Sequence, residues 1–115
     1  MTGPVYAEAF RKRGLERLIP DEPTMDQLHA AIFDELCLGV FESSTTEHFL
    51  RAIDELKSRG AECVVLGCTE IPLIVTPENS SLPTLDSTRL LAKYAVREAI
   101  NDRPIDIKSG WLSLG

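Results

Sequence analysis

Cys68 stands in the run Gly67-Cys68-Thr69-Glu70, directly after the apolar stretch Glu62-Cys63-Val64-Val65-Leu66. Open α/β sheets gather their working residues at the carboxyl ends of strands, in turns that lead to helices, and this run has that position. A free thiol titrates near about 8.5, and a helix N-terminus lowers that value. The spacing therefore predicts a partly ionised Cys68 beside an anion site. Gly67 is expected to bend the backbone sharply and leave room for a ligand. Thr69 is expected to cap the following helix, with Pro72 in its first turn, where the missing N–H is not needed. A buried cysteine without a function is the other reading this pattern leaves open.

The remaining candidates are weaker. Cys63 lies among strand-forming apolar residues, where a cysteine behaves as a small hydrophobe, so it is expected in the core. Cys37, in Glu35-Leu36-Cys37-Leu38-Gly39, is expected to be structural. There is no CxxC to suggest a zinc knuckle or a redox pair. His29 and His48 have no partner histidine at ligand spacing, and no glycine-rich phosphate loop is present, so neither metal nor cofactor is expected. A hydrolase using Cys68 as nucleophile would need a histidine at a recognised spacing, and none is seen. Arg11-Lys12-Arg13 reads as the cationic end of a helix.

Positioning Cys68 is the task of the surrounding elements. A helix from Tyr6 to Arg13 is ended by Gly14, and Leu15 to Ile19 reads as a short strand closed by Pro20. Thr24 and Gln27 form a candidate capping box for a helix whose apolar face is Met25, Leu28, Ile32 and Leu36, stopped by Gly39. Ser44 and Glu47 open the next helix, with Phe49, Leu50, Ile53 and Leu56 buried and Gly60 at its end. The continuous apolar run from Glu62 to Leu66 predicts a strand covered on both faces. A short helix over Ile71 to Val75, a loop over Thr76 to Ser81 and an edge strand over Leu82 to Leu85 follow. Asp86 caps a last helix to about Ile100, with Leu90, Leu91, Tyr94 and Ala95 on its apolar side. Helices alternating with strands call for a parallel sheet with helices on its faces. Residues 102–115 show no clear periodicity.

The 115 residues support one domain, and their composition, 43% hydrophobic and 26% charged, is that of a folded globular chain. With 18 acidic against 12 basic side chains and a net charge of −6, the chain lacks the lysine and arginine excess that nucleic acid or an anionic membrane surface demands. No apolar run approaches the roughly 20 residues of a membrane span, and no secretory signal is visible. Three cysteines fit no disulfide framework, so a reducing cytoplasm is the expected location.

Gly67-Cys68-Thr69-Glu70-Ile71-Pro72-Leu73 resembles the second of two cysteine motifs in the aspartate/glutamate racemases, a family that works without pyridoxal phosphate. Ile32-Phe33-Asp34-Glu35-Leu36-Cys37-Leu38-Gly39, Gly60-Ala61-Glu62 and Leu82-Pro83-Thr84-Leu85-Asp86-Ser87-Thr88 extend the resemblance towards its aspartate racemase and broad-specificity branch. Glu70 stands where a cell-wall glutamate racemase would carry histidine.

The resemblance implies a two-lobed enzyme in which each lobe supplies one cysteine. One thiolate takes the α-proton of L- or D-aspartate, or glutamate, and the other thiol returns a proton to the opposite face. Carried over by position, Cys68 is one of the two acid/base thiols. Thr69 would contact the substrate carboxylate, Glu70 would adjoin and tune Cys68, and Gly67 would line the substrate site. Residues 1–101 would form the C-terminal lobe, a flavodoxin-like three-layer α/β/α unit without its first strand. The expected partners are an amino acid and either an N-terminal racemase lobe or a second copy covering the apolar side of the last helix. The motif of the family's other cysteine has no counterpart, and its serine-arginine pair reads Thr45-Thr46. The alternative is therefore an inactive racemase-like fragment serving as a binding or interaction module.

Overall fold

The computed structural model describes residues 4–101. The tail, 102–115, for which the sequence pattern assigns no element, lies outside the described residues, as do residues 1–3. The described chain runs α1 (Pro4–Lys12), α2 (Glu22–Asp34), α3 (Ser43–Ser58), β1 (Val64–Leu66), β2 (Thr84–Asp86) and α4 (Ser87–Asn101). Single 3-10 turns sit at Leu36–Leu38 and Ile71–Leu73. The strands pair in parallel, Val64 opposite Thr84 and Leu66 opposite Asp86, so the fold is α/β on a parallel sheet, the class that the alternation predicts.

Local chemistry explains most boundaries. The helices α1 and α3 close alike. At the end of α3 the Gly60 amide donates to Lys57 and the Ala61 amide to Leu56, with Gly60 at φ 101°. At the end of α1 the Gly14 amide donates to Arg11 and the Leu15 amide to Phe10, with Gly14 at φ 67°. Both are the paired bonds of a helix ended by a left-handed residue. Asp86 Oδ1 accepts from the amides of Thr88 and Arg89 at 3.0 and 3.1 Å, so it caps α4 as expected.

Two expected capping boxes are replaced. Helix α2 is capped by Asp21, which accepts from the Thr24 amide at 3.0 Å, and Pro23 lies in its first turn. Here the helix begins two residues before Thr24, which puts that residue inside it. Helix α3 begins at Ser43 after Glu42, without a side-chain cap.

Leu15 to Ile19 is not a strand. No described strand lies beside it, and the Ile19 carbonyl instead accepts from Arg59 at 2.9 Å. The expected strand at 62–66 shortens to Val64–Leu66, because ladder bonding starts where the Val64 amide meets the Pro83 carbonyl. Cys63 therefore falls outside the ladder and is exposed, and so is Cys37; neither is a core residue.

The core joins Leu28, Ile32 and Leu36 to Phe49, Ala52 and Ile53, and closes them with Leu66, Ile71, Ile74, Val75 and Leu82. The segment between the strands thus serves as cover as well as connection. Among the described residues Thr45 is the buried polar one; its hydroxyl donates to Glu35, tying the end of α2 to the first turn of α3. The spacing 45, 49, 52, 53, 56 is that of one helix face, so the position was readable, although its residue type pointed outward.

Candidate functional site

Leu66 anchors the site. It ends β1 with its side chain in the core, and its carbonyl accepts from the Ser87 hydroxyl at 2.9 Å. This bond holds the start of α4 against the end of β1. The next residues leave the strand as Gly67-Cys68-Thr69-Glu70 and enter the 3-10 turn Ile71–Leu73. Cys68 is half-buried and packs against the core cluster, so the core fixes one side of the thiol and leaves the other open.

The Cys68 Sγ donates to Glu70 Oε2 at 2.7 Å. Desolvation, foremost, and then the Glu70 carboxylate push the thiol above its ordinary value. The backbone amides of Glu70 and Ile71 pull the other way and do not prevail. Glu70 responds in the opposite sense: hydrogen bonds from Cys68 and Thr69 hold its carboxyl below the usual carboxylate range. At neutral pH the pair is therefore a protonated thiol on an ionised carboxylate.

This corrects three expectations. The thiol is held protonated instead of partly ionised, because a single 3-10 turn offers no macrodipole to offset Glu70. Thr69 caps nothing: Glu70 occupies the cap position without a side-chain bond, and the Thr69 side chain turns to the Glu70 carboxylate. Gly67 is not one of the glycines with positive φ. Nor does space demand glycine there: a Cβ would make ordinary van der Waals contact with Tyr6 of α1, with Oη at 3.6 Å and Cε2 and Cζ at 3.8 Å. The contact itself places the α1 phenol beside the turn.

Gly67, Cys68, Thr69 and Glu70 thus lie together, and Cys68, Thr69 and Glu70 are joined by hydrogen bonds. Ser87 and Tyr6 are the additions that sequence reasoning missed. Ser87 follows the capping Asp86, where a hydroxyl reads as part of a helix start. Tyr6 lies on a separate helix, and no local pattern connects it to Cys68. A shallow groove of about 320 Å³ opens elsewhere, between α2 and α3, lined by Gln27, Ala30, Ala31, Asp34, Glu35, Thr45 and His48. It contains no residue of the Cys68 turn. Among the described residues no three His, Cys, Asp or Glu side chains are gathered to hold a metal ion, and no helix is long and apolar enough to cross a membrane.

The family described as Asp/Glu/hydantoin racemase matches residues 2–95. Among solved structures, the chain is similar to a candidate Asp/Glu racemase from Yersinia pestis, at 30% identity and a TM-score of 0.81 over 85% of this chain and 43% of that one. It is also similar to an aspartate racemase homologue from Pyrococcus horikoshii, at 31% identity and a TM-score of 0.68 over 80% of this chain and 42% of that one. The chain spans less than half the length of either relative.

Proposed function

The chain belongs to the Asp/Glu/hydantoin racemase family, and from that premise we propose that it forms the Cys68-bearing lobe of an amino-acid racemase acting on aspartate or glutamate. The observation that carries the reading is the Cys68–Glu70 pair: a thiol at a strand end, 2.7 Å from an ionised carboxylate, with burial first and that carboxylate next in keeping the proton on sulfur.

In this reading Cys68 is the acid of the resting pair. A base facing the other side of the substrate removes the α-proton, and the C–H electron pair stays on Cα. Cys68 then gives its proton to the opposite face, forming the new Cα–H bond and leaving a thiolate. In the reverse direction that thiolate is the base. Glu70 makes it a stronger base, because two adjacent negative charges favour proton return. Two groups in opposite protonation states suit such an exchange. The base is assigned to the family's other lobe, since Cys63 sits before β1 while Cys68 sits after it, and Cys37 belongs to the turn after α2.

The alternative, a racemase-like unit that binds a carboxylate without turning it over, is favoured by the single thiol in the Cys68 turn. Incorporation of solvent deuterium at Cα of L-aspartate and L-glutamate separates the two. The racemase reading expects exchange when the chain is combined with an N-terminal racemase lobe, and loss of that exchange in Cys68→Ala. Exchange that survives Cys68→Ala would remove Cys68 from the mechanism. No exchange with either amino acid, with or without the lobe, would favour the binding unit.

A further inference from the structure

The contact between α1 and the Cys68 turn brings together residues about sixty positions apart in the chain. The three Tyr6 atoms nearest Gly67 all belong to the phenol end of the ring, and the hydroxyl is closest. The ring also meets Phe10 one helical turn on, edge to face, with centroids 6.4 Å apart. That contact gives the phenol a packed neighbour on its own helix. No hydrogen bond joins the Tyr6 hydroxyl to another described residue, and the side chain is 38% exposed. A polar donor is thus held beside Gly67, with its hydrogen-bonding capacity unused by the described residues. Consecutive Cα atoms are about 3.8 Å apart, so the phenol lies against the residue that immediately precedes Cys68.

Charge says what that donor is for. The charged side chain acting on the Cys68 thiol is Glu70, which is negative, and no cation lowers the thiol among the described residues. An amino acid presented to Sγ brings its own carboxylate into that field. With no cation acting on the thiol among the described residues, the groups there that would receive it are neutral donors, and a phenol O–H is one.

We propose that Tyr6 is a substrate-binding residue whose hydroxyl donates a hydrogen bond to the carboxylate of the amino acid presented to Cys68. The proposal rests on the reading of Cys68 as an acid/base thiol. It adds a binding role for α1 that the Gly67-Cys68-Thr69-Glu70 run does not contain.

The test uses two alkylating agents of nearly equal size, iodoacetate with a carboxylate and iodoacetamide without one. The full chain is labelled with each, and the rates at Cys68, Cys37 and Cys63 are read separately by peptide mass spectrometry. The two exposed cysteines are internal references. In Tyr6→Phe the iodoacetate-to-iodoacetamide ratio is expected to fall about tenfold or more at Cys68, the loss of one hydrogen bond to a charged group. It should stay constant at Cys37 and Cys63, with an unchanged thermal melt. An unchanged ratio at Cys68, or an equal fall at all three cysteines, overturns the proposal. Because alkylation needs no turnover, the ratio is independent of the deuterium experiment. A fall confined to Cys68 in a chain whose exchange survives Cys68→Ala would keep the carboxylate contact and discard the racemase reading.

Discussion

Helices α3 and α4 are nearly the same length, 16 and 15 residues, and each carries an apolar side at helical spacing. Helix α3 buries Thr45, Phe49, Ala52, Ile53 and Leu56, whereas α4 buries nothing. Leu91 and Ile100 are 68% and 76% exposed. The difference lies in their surroundings. Helix α3 meets α2 and the returning segment Ile71–Leu82, which bring apolar groups from two other parts of the chain. Helix α4 leaves the end of β2 and receives no such cover from the described residues. Hydrophobic periodicity marks a face that burial would favour; whether anything covers it depends on other elements. The Cys68 turn lies at the boundary, packed on the core on one side and open on the other.

The contrast is most easily broken at Phe49. Truncating this 4%-exposed ring in Phe49→Ala should cost about 3–5 kcal/mol, the lost burial plus the cavity left behind. Urea denaturation would measure it, and a cost near zero would mean that α2 and α3 do not share a core. A smaller effect, on chemistry and not on stability, is expected in the turn. Glu70→Gln removes the carboxylate that raises the Cys68 thiol, so more thiolate is present at pH 7.5. Cys68 should then alkylate several-fold faster than in the native chain, with the midpoint of its pH–rate curve moved down. The native thiol keeps its proton until pH rises through its raised value, so its rate climbs later. Identical curves would show that Glu70 does not tune the thiol. Smallest of all is the change expected in Leu91→Ala, within about 0.5 kcal/mol for an exposed position. A loss comparable to that of Phe49→Ala would reveal cover on α4.

Much of this organisation was legible in the sequence. The core faces of α2 and α3, the glycine ends of α1 and α3, the Asp86 cap and the strand leading to Cys68 all follow from spacing and residue type within a few turns of chain, whereas α2 ends at Asp34, short of the Gly39 expected to stop it. The grouping of Cys68 with Glu70 was legible too, since two residues in one turn cannot be far apart. What failed depended on neighbours distant in sequence. Leu15 to Ile19 has strand-like composition but no partner to pair with. Cys63 has strand-like apolar neighbours, but the ladder begins one residue later and leaves it exposed.

By itself the sequence determined which segments could be helix or strand, which faces were apolar and which turn held the thiol, because these depend on local geometry and periodicity. The tertiary structure decided the rest. It sets the thiol's protonation through burial and the direction of one carboxylate, places the Tyr6 hydroxyl beside Gly67 from a separate helix, and covers α3 but not α4 within the described chain. Burial and electrostatics act through space, and through-space neighbours are what a linear pattern does not carry.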